Sequence, residues 1–163
     1  MQITFQGNPL TLEGSQLETG QNFPDFIATK NDLSKLTLKD TKGTRIFLTV
    51  PSLDTPVCDM EINMFNKRAS EIPGVELYTI SADLPFAQAR WCGAAAVKEV
   101  ITASDYNERS FGKATGTFIK ELAILTRAVF VVDASDKIVH VEYLKEITEQ
   151  PDFDAVITAA KNA

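Results

Sequence analysis

The sequence predicts an α/β protein: a central mixed sheet with helices on both faces, preceded by an N-terminal β-hairpin. Three observations carry this expectation. Two continuous apolar runs, Arg45–Val50 and Ala128–Val132, read as strands covered on both sides. Helix-period segments alternate with strands through the middle of the chain. The first dozen residues alternate apolar and polar. The length, 163 residues, fits one domain over residues 1–163. Such a domain buries roughly 70% of its unfolded surface and needs no metal or disulfide staple.

The elements follow in order. Ile3, Phe5, Leu10 and Leu12 flank Gly7-Asn8, which reads as a hairpin turn. Residues 21–40 are mixed, with turn signals at 22–25 and 30–32. The strand Arg45–Val50 stops at Pro51. Cys58, Ile62, Phe65 and Ala69 then recur at helical spacing and share one helix face. Thr55 suits the N-cap, Pro56 the first helical position, and Pro73-Gly74 the end. Val75–Ser81 is a second strand, and Leu84–Val100 reads as helix around Gly93-Ala94-Ala95-Ala96. Ser104–Phe111 is irregular. After the Ala128–Val132 strand, 133–136 is a turn and Lys137–Leu144 an antiparallel partner. A helix from Asp152 to Lys161 closes the chain. The order hairpin, β, α, β, α, β, β, α is that of a thioredoxin-like fold with an N-terminal extension.

Composition narrows the function. With 16 Lys+Arg against 22 Asp+Glu and a pI near 4.8, no net positive field recruits nucleic acid or an anionic membrane. At 44% hydrophobic and 23% charged residues, the chain is not of a disordered class. One His and two Cys are too few soft ligands for a structural zinc site, and no Asp/Glu/His cluster suggests another metal. No cofactor is expected. No segment reaches the ~20 apolar residues of a bilayer span. Met1-Gln2-Ile3-Thr4-Phe5 has neither the basic nor the apolar region of a secretory signal. The expected compartment is the reducing cytoplasm, where a cysteine pair is catalytic, redox-active or metal-binding rather than a permanent staple.

The informative stretch is Pro51-Ser52-Leu53-Asp54-Thr55-Pro56-Val57-Cys58. A helix starting at Thr55-Pro56 puts Cys58 in its first turn, at the positive end of the helix dipole. Both favour the thiolate, the nucleophilic form. Asp54, Asp59 and Glu61 oppose it, so a cation from elsewhere in the chain is needed. Two readings stand: a reactive thiolate, or a small apolar residue on the buried stripe. Cys92 lies 34 positions on, so no Cys-X-X-Cys motif exists. It fits a second thiol that condenses with a sulfenic acid, or an unrelated buried cysteine.

The eight residues 51–58 resemble the active-site signature of the peroxiredoxins, in the thiol peroxidase subfamily of the atypical two-cysteine type. Ser81-Ala82-Asp83-Leu84-Pro85-Phe86-Ala87-Gln88 followed by Cys92-Gly93 is similar to the segment that carries the resolving cysteine there. Arg127-Ala128-Val129-Phe130-Val131 resembles the later catalytic-arginine segment, and Ser110–Lys113 and Val141-Glu142-Tyr143 also match. The resemblance covers essentially the whole chain. It implies Cys58 as peroxidatic nucleophile and Cys92 as resolving cysteine, joined in a Cys58–Cys92 disulfide during turnover. It implies that Thr55 hydrogen-bonds the thiolate and the peroxide oxygen. Arg127 is implied as the missing cation that orients the peroxide, and Pro51 as the shield against water. It further implies a hydroperoxide substrate, thioredoxin as reductant and a homodimer. A thiolate attacking one peroxide oxygen drives charge onto the other, so Thr55, Arg127 and the first-turn N–H groups are the expected donors.

Two positions depart from the usual pattern. Asn63 stands where Arg is frequent. Trp91 stands where Phe is usual, and an aromatic there is expected against a dimer partner or the substrate mouth. His140, the only histidine, is read as a partly exposed strand residue without a catalytic role, alternating with Ile138 and Glu142. Phe111–Thr115 lacks the spacing of a phosphate-binding loop.

Overall fold

The computed structural model describes residues 2–163. The opening hairpin pairs β1 (Ile3–Phe5) with β2 (Asn8–Leu10). Its turn is Gln6-Gly7, not Gly7-Asn8: these two residues take positive φ of 50° and 79°, and Asn8 pairs with Phe5. Two successive left-handed residues give a tight turn whose twist matches the strands. A short β3 (Leu12–Glu13) follows. The mixed stretch at 21–40 holds a second hairpin, β4 (Ile27–Lys30) and β5 (Lys35–Thr37), too short for its alternation to stand out.

The site-bearing elements come next: β6 (Arg45–Thr49), α1 (Pro56–Arg68), β7 (Glu76–Ser81) and α2 (Pro85–Ala95). α2 stops short of the expected Val100. Ala96 turns left-handed, and β-branched Val100, Ile101 and Thr102 form β8 (Val100–Ser104) instead. The stretch read as irregular contains the start of α3 (Ser110–Ala114). The chain ends with β9 (Phe118–Ile119), β10 (Ile124–Leu125), β11 (Ala128–Val132), β12 (Ile138–Tyr143) and α4 (Phe153–Asn162). Asp152 caps α4 by accepting from Ala155 N at 3.0 Å.

Seven strands form a mixed sheet in the order β12-β11-β6-β7-β8-β4-β5. β6, β7 and β8 run parallel, and their neighbours on both sides run antiparallel. The central runs are buried on both faces, as expected. Ile46, Leu48, Val129 and Val131 face one cluster with Ile62 and Phe65 of α1 and Val156 and Ile157 of α4. Phe47, Phe130 and Val132 face the other, with Phe23, Phe26 and Phe111 of α3. There Phe23 stacks on Phe47 with ring centroids 4.8 Å apart. Truncating such a core ring to alanine costs about 3–5 kcal/mol.

The alternation read along β12 is interrupted. Val131 pairs with His140 but Val132 with Ile138, so Val139 is an extra residue in a β-bulge. Ile138 therefore joins the same cluster as Val141 and Tyr143, while Val139 turns to the other. His140 is half-buried, as read.

Candidate active site

The site forms where the central parallel strands end and α1 begins. Pro51 stops β6, because a proline cannot donate to the ladder. The chain then loops to α1. Asp83, just after β7, holds this loop: one carboxylate oxygen accepts from Ser52 Oγ at 2.7 Å, the other from Leu53 N at 2.8 Å and Ser81 Oγ at 2.7 Å. Thr55 is the N-cap of α1, accepting from Cys58 N at 3.3 Å, and Pro56 is the first helical residue. Cys58 thus lies in the first turn of α1, completely buried.

Arg127 reaches Cys58 from the residue before β11. Its Nη2 donates to Cys58 Sγ at 3.1 Å. Its Nε donates to Ile147 O at 3.0 Å, and Nη1 donates to Glu61. Each of the three guanidinium nitrogens therefore has a partner, which fixes the plane. Thr49 Oγ1 donates to Thr126 O at 2.8 Å and ties the arginine's own strand to β6. Arg127 is the cation in contact with the Cys58 sulfur.

Charge alone sets Glu61 among the acids that oppose the thiolate, and nothing in the sequence pairs it with Arg127, its partner in the fold. It is fully buried, and burial pushes its carboxyl up to about 7 against the pull of Arg127. Its second oxygen, Oε1, has no hydrogen-bond partner. The one local signal is its spacing: Glu61 is three residues from Cys58, on the same helix face. The anchoring role of Asp83 is not legible either, since a contact across 30 positions leaves no periodic trace.

Thr55 bonds the backbone of Cys58 and not its sulfur. Its hydroxyl donates to Ser52 O at 3.3 Å while its oxygen accepts from Cys58 N. Both groups belong to the cap. Pro51, Thr55 and Arg127 line a cavity of about 280 Å³, together with Phe5, Val57, Leu122, Ile124 and Ile147. This cavity, the candidate substrate mouth, is mostly apolar, with Arg127 as its one charged side chain. The N-terminal hairpin contributes Phe5 to it. Glu146 holds the hairpin turn in place; partial burial raises its carboxyl, but bonds from Thr4, Gly7 and Gln6 outweigh that and bring it down to about 2.

Cys92 lies apart from this cluster, on α2. Its sulfur is 3.3 Å from Thr102 Oγ1 on β8, and Asn31 Nδ2 approaches to 3.9 Å. Both cysteines are free thiols. Trp91 does not line the mouth cavity. Its indole N–H donates to Asp59 Oδ1 at 3.1 Å, and its ring packs against the cluster that holds Cys58. Asn63 donates to Asp59 O at 2.8 Å, within its own helix.

A family model described as Redoxin matches residues 18–157. The thiol peroxidase of Clostridium acetobutylicum is 55% identical over 163 residues, covering 100% of this chain and 99% of that protein. The chain belongs to the redoxin family, in its thiol peroxidase group. The thiol peroxidase of Bacillus subtilis is also similar to this redoxin, at 48% identity over 98% of the chain and 96% of that protein. Among solved structures, a peroxiredoxin-like protein from Aquifex aeolicus superposes with a TM-score of 0.90 at 37% identity, covering 99% of this redoxin and 96% of that chain. A thiol peroxidase from Chromobacterium violaceum shares the fold, with a TM-score of 0.91 at 19% identity over 99% and 96% of the two chains.

Proposed function

We propose that this thiol-dependent peroxidase reduces hydrogen peroxide and organic hydroperoxides through a Cys58 sulfenic acid and an intramolecular Cys58–Cys92 disulfide, recycled by thioredoxin. The observation that carries the reading is Arg127 Nη2 at 3.1 Å from Cys58 Sγ, in the first turn of a helix. The guanidinium and the helix end both favour the thiolate. Cys58 is the peroxidatic nucleophile. Its sulfur attacks the terminal peroxide oxygen, the O–O bond breaks, and the departing oxygen takes a proton and leaves as water or alcohol. Arg127 stabilises charge on that oxygen. Thr55 assists once its hydroxyl leaves Ser52 O, and Pro51 shields the sulfur from water.

Cys92 is the resolving cysteine. Its sulfur attacks the sulfenic sulfur, the S–S bond forms, the S–O bond breaks and water departs. A dithiol then reduces the disulfide by exchange and is itself oxidised. A disulfide needs Cα atoms within about 7 Å. Cys58 is held on α1 by Arg127 from beside β11, and Cys92 on α2 by Thr102 from β8, so each thiol has its own helix and its own partners. The first turn of α1 and the region around Cys92 therefore unwind for resolution. The apolar mouth fits the organic part of a hydroperoxide. The working unit is a single domain over residues 1–163, cytoplasmic, and homodimeric through apolar side chains such as the exposed Met60 and Phe86.

The test is peroxide consumption with thioredoxin, thioredoxin reductase and NADPH. Wild type turns over, Cys58→Ser is inactive and Cys92→Ser stalls after one equivalent. A wild type that also stops at one equivalent supports a redox sensor that passes its oxidation to a bound partner.

A further inference from the structure

The hydrogen bond between Trp91 and Asp59 joins the two redox helices at their reacting positions. Asp59 follows Cys58 on α1 and Trp91 precedes Cys92 on α2, and Nε1 donates to Oδ1 at 3.1 Å. On the two-cysteine reading, bringing the two sulfurs together unwinds α1 at Cys58 or α2 at Cys92. Either movement breaks this bond.

The surroundings make the bond consequential. α2 is a weak helix around Cys92. Gly93, in its interior, is a poor helix former. Ala96, at its end, is held left-handed at φ 52° without a glycine's freedom. Leu84 at its start makes no side-chain capping bond. Trp91 also forms a wall shared by two cavities, of about 410 and about 450 Å³, between the active-site loop and α2. The segment thus has room to move and little local helical stability. Cys92 itself is held by Thr102 Oγ1 at 3.3 Å and by the more distant Asn31 Nδ2 at 3.9 Å. The tie to Asp59 accepts an N–H onto a carboxylate, the stronger class of hydrogen bond.

We infer that the Asp59–Trp91 bond is a latch that keeps both helices in the peroxide-reducing conformation and sets the rate at which Cys92 resolves oxidised Cys58. Trp91 and Asp59 are positioning residues for the second chemical step. A tight latch lengthens the life of the sulfenic acid and gives a second peroxide time to oxidise it to sulfinic acid. The inference rests on the two-cysteine reading above.

The experiment is quenched flow on the reduced full-length protein, with thiol alkylation and intact-mass analysis of each state. Wild type, Trp91→Phe, Asp59→Ala and the double variant are compared. Trp91→Phe keeps the ring and removes the donor. It is expected to form sulfenic acid at the wild-type rate and disulfide roughly five- to tenfold faster, the effect of losing one such bond from the starting state. Its sulfinic fraction under excess peroxide falls accordingly. Asp59→Ala reaches the same disulfide rate from the other side, and the double variant is no faster than either single one. Disulfide formation in Trp91→Phe at or below the wild-type rate overturns the latch. So does a double variant whose acceleration is the product of the two single ones. A wild type that never forms the Cys58–Cys92 disulfide overturns the two-cysteine reading itself, and is recognised in the wild-type trace alone.

Discussion

Arg127 and Glu61 form a pair buried on both sides, with 1% and 0% of their side chains exposed. The same guanidinium touches the sulfur of Cys58, so one cation serves a carboxyl and a thiol. Removing Arg127 leaves Glu61 buried without its hydrogen-bond partner, at a cost of about 1–3 kcal/mol. It also removes the donor proposed for the departing oxygen, worth about 10²–10³ in rate. Arg127→Gln should therefore unfold at lower temperature and form sulfenic acid far more slowly. Arg127→Gln combined with Glu61→Gln should regain stability but not rate. Thermal unfolding and stopped-flow oxidation read the two effects separately; recovery of both would mean that Arg127 acts only on Glu61.

The raised carboxyl of Glu61 gives stability a pH dependence with a definite sign. In the folded chain it keeps its proton up to about 7, while the unfolded group releases it near 4.5. The folded state therefore binds more protons in that window, and stability from this group falls as pH rises through it. The loss is about 3 kcal/mol at most. Burial of Asp105 raises its carboxyl to about 6, despite bonds from Gly112 and Phe111, and acts in the same direction. Urea unfolding of wild type and Glu61→Gln at about pH 5 and about pH 7.5 checks this. The variant should lose less stability between the two.

Asp83 holds the loop that carries Pro51 and Thr55 without touching the reacting atoms. Asp83→Asn replaces one acceptor oxygen by an NH₂ that repels Leu53 N–H or Ser52 O–H. A loop displaced by about 1 Å costs on the order of 10²-fold in rate. The variant should keep its far-ultraviolet circular dichroism and lose roughly ten- to a hundredfold in kcat/KM. Unchanged kinetics would mean that the cap at Thr55 fixes the loop alone.

Phe5 and Leu122 are large apolar side chains lining the cavity that Arg127 borders. Phe5→Ala and Leu122→Ala should lower kcat/KM for a bulky aromatic hydroperoxide by about tenfold, the value of an apolar contact of this size. Hydrogen peroxide should be affected by less than about twofold. Parallel kinetics with the two substrates decide it; equal losses on both would place these residues in the packing of the hairpin rather than in recognition.

What could be read from the sequence followed from range. The N-cap at Thr55, the helix start at Pro56 and the first-turn position of Cys58 are local, and the structure has all three. The two central strands announced themselves because burial on both faces makes them continuously apolar. The hairpin at 27–37 and the end of α2 did not. Strands of three or four residues have too few positions to alternate, and Ala94-Ala95-Ala96 favours helix until the left-handed Ala96 stops it. The bulge at Val139 shifted a face by one residue, which periodicity cannot register. At the site, the need for a cation was legible from charge alone. Its bond to Cys58, its pairing with Glu61 and the grip of Asp83 on the loop depend on contacts across 30 to 69 positions.

The most direct measurement is a thiol count after adding one equivalent of peroxide to the fully reduced protein. Wild type should lose both thiols as an intramolecular disulfide, Cys92→Ser should lose one, and Cys58→Ser should lose none on the same timescale. Loss of a thiol from Cys58→Ser at the wild-type rate would contradict the assignment of Cys58 as the nucleophile held by Arg127.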